Sequence, residues 1–538
     1  MFLLAIRINI TIFAVDIHQI RQCGLNFNII QPKERLTLSL QQDTNTHNRF
    51  MKANWIKSLF FAALVAFSAN QAVAQRAYEV PEINPEMKAM AEQVIEMQIT
   101  DPDGANKVYK KLMGKIKTKK EDLLSIGQFF LDKNVYPCAN ECAKQLYTVA
   151  PEYKEGLMFY GEVCMFRKDY GSAGQKFDEA LNVDPNYVPA LKRNAFVYKN
   201  INPHVAIEML DRIKAVEPDN HSTDREKGDI YYKLDEYKDA VSCYTTYFKA
   251  KTENDSTDIA AAENFLLSLF ATQKYMEIGD YSERFLALAP NDLVIKRMKF
   301  FADVENYEIT KAQESIKYIT ENQFADSLYV YLDYAYAGNF MSDQDDLASA
   351  IKYYELAVKC DSTKLSGLKQ LATFYRRNKQ YDEGIEMYSK YLKALGDKAD
   401  LTDEFGLGQQ YLAASQQAGI TPEKKAEYVT KGDAIFAAIQ AEKPDSYQAP
   451  MMRAAINITN RNEPEEKVFN FYKEAYKLME GKENIDSSKL QALGYMAFYC
   501  VQKDLVDEAR QYTNAILSID SENGLGKQID AYLKSINK

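Results

Sequence analysis

The sequence predicts an all-α superhelical solenoid of about twelve antiparallel helix pairs, and three observations carry that prediction. The first is length: 538 residues exceed what a single hydrophobic core serves, so the chain is multi-domain or a repeat array. The second is composition, with only 22 Gly and 15 Pro but 37 Tyr and 27 Phe, which disfavours long loops and β-rich architectures. The third is rhythm. Pro151, Pro185 and Pro218 are spaced by 34 and 33 residues. Counted back from each proline, Ala139, Ala173 and Ala206 all lie twelve positions ahead. Small residues at Gly127, Gly161 and Ala195 lie a further twelve, twelve and eleven positions back.

The amino terminus reads differently from the rest. From Met51 the chain runs MKANWIKSLFFAALVAFSANQAVAQ. Lys52 and Lys57 form a positive start, Leu59 to Phe67 an apolar run too short to span a bilayer, and Ala72-Val73-Ala74 a small-residue cleavage site. Residues 51–74 are therefore expected to be a secretory signal peptide, and residues 1–50 a disordered upstream extension with Met51 as the true start. A competing anchor over Phe2–Val15 is interrupted by Arg7 and Asn9. No cysteine sits at the cleavage site, so the expected mature chain is not lipid-anchored and resides in the periplasm. Residues 75–538 carry 59 Lys+Arg against 73 Asp+Glu, a net charge of −14 that disfavours a general nucleic-acid binder.

Catalytic signatures are sparse. Only four histidines occur, His18, His47, His204 and His221, and of these His204 and His221 have no obvious acidic or cysteine partner at ligand spacing, so they read as solvated. No Gly-x-Ser-x-Gly, His-Glu-x-x-His or Cys-x-x-Cys occurs. Cys138, Cys142, Cys164, Cys243, Cys360 and Cys500 read as buried small apolar residues. A Cys138–Cys142 bridge within one helix turn would be strained. The glycine-bearing DYGSAG at Asp169–Gly174 lacks the preceding strand and Gly-Lys-Ser/Thr ending of a phosphate loop, so it is expected to be the bend between two helices. The expected chain is not an enzyme and takes no cofactor or metal.

Later segments repeat the early rhythm. LKQLATFYRRNKQYDEGIEMYSKYL (Leu368–Leu392) carries Ala372, Tyr375, Gly384 and Tyr388, and LGYMAFYCVQKDLVDEARQY carries a first and a second helix. These blocks resemble the tetratricopeptide repeat (TPR), a 34-residue helix–turn–helix unit, most strongly over 120–250 and 365–412. Pairs are expected to begin near 85, 120, 154, 187, 221, 258, 292, 325, 365, 402, 446 and 488, with a capping helix over 525–537. They group as an N-terminal array (85–250), irregular pairs (251–364) and a C-terminal array (365–538). Insertions are expected at 251–257, 341–346 and 414–428. Gly161 and Ala173 are expected to be the facing small residues that let two helices pack closely, and each pair leaves an apolar side for its neighbour.

The resemblance implies a function in protein–protein interaction. Members of the family line a concave groove with positions 2, 5, 9 and 12 of each first helix. Carried onto this chain, those positions give Lys192, Phe196 and Lys199; Arg225, Asp229 and Tyr232; and Lys369, Thr373 and Arg376. Cations and aromatics in that arrangement would hold an extended, partly acidic peptide segment or partner protein. The carboxylate clamp of chaperone-binding members is not matched, because Phe196 and Asp229 stand where it uses asparagine. An alternative is a glycan-binding, outer-membrane-associated helical protein stacking sugars on tyrosine, although no tryptophan follows Trp55.

Overall fold

The computed structural model describes residues 78–251, 258–459 and 463–536, and these residues contain helices and no strand. The leader at 51–74, the upstream extension and most of the 251–257 insertion lie outside the described residues. The chain divides into two compact units at Ser315/Ile316.

The first unit holds α1 (Pro85–Thr100), α2 (Pro102–Ile116), α3 (Lys120–Asp132), α4 (Tyr136–Val149), α5 (Lys154–Phe166), α6 (Tyr170–Val183), α7 (Val188–Tyr198) and α8 (Pro203–Val216). It continues with α9 (Ser222–Lys233), α10 (Tyr237–Ala250), α11 (Ile259–Ala271), α12 (Tyr275–Leu288), α13 (Leu293–Glu305) and α14 (Ile309–Ser315). The second unit holds α15 (Lys317–Thr320), α16 (Tyr331–Asp343), α17 (Leu347–Cys360), α18 (Leu365–Arg377), α19 (Tyr381–Leu395) and α20 (Leu401–Ser415). It ends with α21 (Pro422–Glu442), α22 (Gln448–Asn457), α23 (Glu466–Leu478), α24 (Asp486–Gln502), α25 (Val506–Ile519) and α26 (Gly524–Ile536). Within each unit consecutive helices pack as hairpins, and each hairpin packs on the next.

Among the described residues the hairpin turn is one device used eight times. Its middle residue adopts a left-handed backbone: Asn134, Lys168, Asp235, Gln273, Tyr307, Asp345, Lys379 and Asp504. In each turn the next N–H reaches back five residues, as from Asp169 to the Cys164 carbonyl at 3.0 Å and from Gln380 to Tyr375 at 2.8 Å. These bonds satisfy carbonyls that the ending helix would otherwise leave unpaired. DYGSAG is placed differently from expectation. The bend is Arg167–Asp169, while Gly171 and Gly174 lie inside α6. Asp169 caps that helix by accepting from the Ser172 N–H at 3.1 Å.

Small residues admit aromatic rings. A methyl added at Gly161 would stand 2.2 Å from Phe177 Cε1, so this glycine lies under the Phe177 ring, while in two later hairpins small residues face each other, a methyl on Gly338 standing 3.1 Å from the Ala350 carbonyl oxygen and one on Gly384 3.2 Å from that of Ala372. Gly228 lies likewise under Tyr244 and Gly338 under Tyr354, each ring sixteen positions further on. Phe248 extends the aromatic core of the first unit, 5.4 Å from Phe265 and 4.8 Å from Phe285. Burying each such ring contributes about 2–3 kcal/mol.

One expected insertion falls elsewhere and another sits where expected. Residues 341–346 form an ordinary helix end and turn, and the irregular stretch is 321–330, between α15 and α16. The 414–428 insertion begins after Ser415 and lengthens α21 to 21 residues. Of the cysteines, Cys142 and Cys500 are buried, Cys360 is exposed against expectation, and all six described are free thiols.

Candidate functional site

In the first unit the candidate residues come from α7 and α9, the first helices of successive hairpins. Lys199 Nζ sits 4.4 Å from the centroid of the Phe196 ring, and that ring is 44% exposed. Lys192 reaches Glu217 at 3.8 Å. Burial lowers the Lys199 pKa, and the nearby Lys233 lowers it further. Arg225 bridges Asp229 at 2.8 Å and Asp258 at 3.4 Å. Asp229 also accepts the Tyr244 hydroxyl at 2.6 Å. Burial raises the Asp229 pKa, offset by Arg225 and by the Tyr244 bond.

Two neighbours escaped the sequence reading. Glu226 is exposed, yet desolvation raises its pKa, while Arg225, Lys199 and Lys192 pull it down. Lys233 is the other, exposed and within electrostatic reach of Lys199. Tyr232, expected in the groove, is instead buried, its ring 6.0 Å from Tyr237 in edge contact. The two differ by one helical position, about 100° around the axis, enough to exchange a core face for an open one.

In the second unit α18 carries Lys369, Thr373 and Arg376. Lys369 Nζ donates to Asp403 at 2.9 Å and lies 5.2 Å from the Tyr391 ring centroid. Asp403 also accepts the Tyr391 hydroxyl at 2.7 Å. Burial alone would raise the Asp403 pKa, but the bonds from Lys369 and Tyr391 outweigh it and hold the carboxylate below its usual range. Thr373 turns its hydroxyl back to the Lys369 carbonyl at 3.0 Å. Arg376 is half-buried beside Tyr388 and Tyr381.

Elsewhere the polar chemistry is structural. His221 Nδ1 lies 3.4 Å from Asp224, which also takes Lys214 at 2.9 Å, so this histidine has an acidic neighbour that the sequence reading missed. Desolvation raises every described thiol, Cys138, Cys243 and Cys500 each to about 11, opposite to what a nucleophilic thiolate requires. Among the described residues no group of three potential ligands gathers for a metal, and no helix is long and apolar enough to cross a membrane.

Hairpins of about 34 residues, closed by one turn geometry and stacked within each unit, define a helical-repeat fold of tetratricopeptide type. Solved structures similar to the chain include the C-terminal part of a TPR repeat-containing protein from Cytophaga hutchinsonii, with 20% identity, 50% of this chain and 98% of that one covered, and a TM-score of 0.41. A tetratricopeptide repeat protein from Parabacteroides merdae is also similar, at 15% identity, 47% and 98% coverage and a TM-score of 0.30. PilW, a type IV pilus biogenesis factor, matches at 16% identity, 40% and 98% coverage and a TM-score of 0.30. No protein-family model and no curated protein matches the sequence.

Proposed function

We propose that the protein is a non-catalytic interaction scaffold that holds an acidic, extended segment of a partner protein along the first helices of its hairpins. The supporting observation is the ridge on α7 and α9, where Lys199 lies over the exposed Phe196 ring. Lys192 and Lys233 are exposed beside it. An open aromatic ring with ammonium groups around it suits a backbone that offers both apolar and carboxylate side chains. The leader-like stretch at 51–74 supports export, and the reading places the mature chain in the periplasm.

The test is direct. A fluorescein-labelled fifteen-residue peptide of Glu, Gly and Ser is titrated with the wild type and with the triple variant Lys192→Glu, Arg225→Glu, Lys369→Glu. The reading expects at least a tenfold loss of affinity with helix content intact by circular dichroism. Equal affinity of the two proteins would overturn it.

A further inference from the structure

Two second helices of the first unit bring sulfur atoms together. Cys138 and Cys142 lie one turn apart on α4, and Tyr109 and Met113 lie one turn apart on α2. The two faces meet. Cys142 Sγ stands 3.8 Å from Met113 Sδ, and the Tyr109 hydroxyl donates to the Cys138 backbone carbonyl at 3.5 Å. Cys138 is within electrostatic reach of both Cys142 and Tyr109. Both thiols are free.

The patch has a closed floor and an open rim. Cys142 is fully buried, and a methyl on Gly127 would stand 2.9 Å from its Cβ. Cys138, Met113 and Tyr109 are only partly buried against the same core. An ion therefore has a route from solvent to the inner sulfur.

The spacing suits a metal ion. A first-row metal binds sulfur at about 2.3 Å, so three sulfurs in a plane around it stand about 4 Å apart. The edge between Cys142 and Met113 already has nearly that length. Thiols at positions i and i+4 of a helix turn toward a common point by rotation about χ1.

Ligand type selects the ion. Counting histidine, cysteine and carboxylate side chains alone, no three gather among the described residues, and here the thioether of Met113 is the third ligand. Glu141, the carboxylate that acts on both thiols, is exposed and paired with Lys144 at 3.6 Å. Structural zinc takes four ligands, and calcium and magnesium take oxygen. Two thiols and a thioether without an imidazole favour a soft monovalent ion.

We propose that Cys138, Cys142 and Met113 form a three-sulfur binding site for Cu(I) between α2 and α4. The ion enters already reduced. Two thiol protons leave to solvent, two thiolate–copper bonds and one thioether–copper bond form, and no electron is transferred. The Tyr109 hydroxyl, which hydrogen-bonds to Cys142, supports the thiolate charge. The site lies on second helices and is independent of the peptide-binding reading.

The test loads the reduced full chain with Cu(I) under anaerobic conditions, against the chelator bathocuproine disulfonate. The wild type is expected to retain a single copper with three sulfur neighbours in X-ray absorption. Cys138→Ser is expected to surrender it. Met113→Leu conserves core volume and is expected to bind about tenfold more weakly or worse, with two sulfur neighbours. Cys243→Ser, on α10, is expected to retain copper as the wild type does. Copper should also raise the melting temperature of the wild type, a reading that needs no variant. A wild type that yields all its copper to the chelator, or that gains no thermal stability from it, overturns the site. So does a folded Cys138→Ser or Met113→Leu that holds copper as well as the wild type, which would leave these sulfurs to core packing alone. Zinc held in place of copper when both are offered overturns the choice of ion.

Discussion

Tyr244 lays its ring over Gly228 and donates its hydroxyl to Asp229 at 2.6 Å, so adjacent residues of α9 hold both ends of one side chain from α10. The ring needs the missing Cβ, and the hydroxyl needs the carboxylate, which Arg225 in turn neutralises. Tyr244→Phe keeps the ring and removes the bond. It is expected to destabilise the protein by about 1–3 kcal/mol, the usual loss for a hydrogen bond to a charged, desolvated group. Urea denaturation measures the change. No shift in midpoint would mean that the bond contributes nothing.

Close approach at the glycines predicts opposite signs for one substitution. Gly161→Ala drives a methyl into the Phe177 ring and is expected to cost about 1–3 kcal/mol, because both helices are fixed by their neighbours. Gly114→Ala, in α2, meets nothing within 4 Å and is expected to stabilise by about 0.5–1 kcal/mol through helix propensity. Ala173, fully buried in α6, gives a third test. Ala173→Leu overfills the contact and is expected to cost about 1–3 kcal/mol. Thermal unfolding of the three variants should rank Gly114→Ala above wild type and the other two below it.

The turns carry a strain that glycine would relieve. Lys379 holds a φ of 61°, a backbone region in which a side chain costs about 1–2 kcal/mol. Lys379→Gly is expected to raise stability by about 0.5–1 kcal/mol after the greater freedom of glycine in the unfolded chain is offset. A lower melting temperature would contradict this.

Stability should fall with rising pH across the neutral range through one carboxyl pair. Burial and then the adjacent Asp292 raise the Glu263 pKa to about 8, so the folded pair keeps a proton that the unfolded chain releases near pH 4.5. A raised carboxyl pKa stabilises the fold fully below the unfolded value, and the contribution disappears as pH climbs toward 8. Glu263→Gln is expected to flatten the stability profile between pH 5 and 8. An unchanged slope in denaturation midpoints over that range would contradict the assignment.

Much of the fold was legible because helix pairing leaves a long-range rhythm. Expected starts at 85, 120, 154 and 365 coincide with Pro85, Lys120, Lys154 and Leu365, and the capping helix over 525–537 appears as Gly524–Ile536. Periodicity did not reveal which residue takes the left-handed turn. That position is held by Lys168 and not by the glycines of DYGSAG, because the back-reaching turn bonds and helix packing impose the conformation regardless of side chain. For the candidate groove, the position assigned to Tyr232 lies in the core and the exposed residue is Lys233, one helical position on.

The central claim is that first helices present the binding surface, and hydrogen exchange tests it most directly. The fifteen-residue acidic peptide at saturating concentration should slow amide exchange in α7 and α9. Protection confined to second helices such as α8, α10 and α19, or no protection anywhere at saturation, would contradict the account.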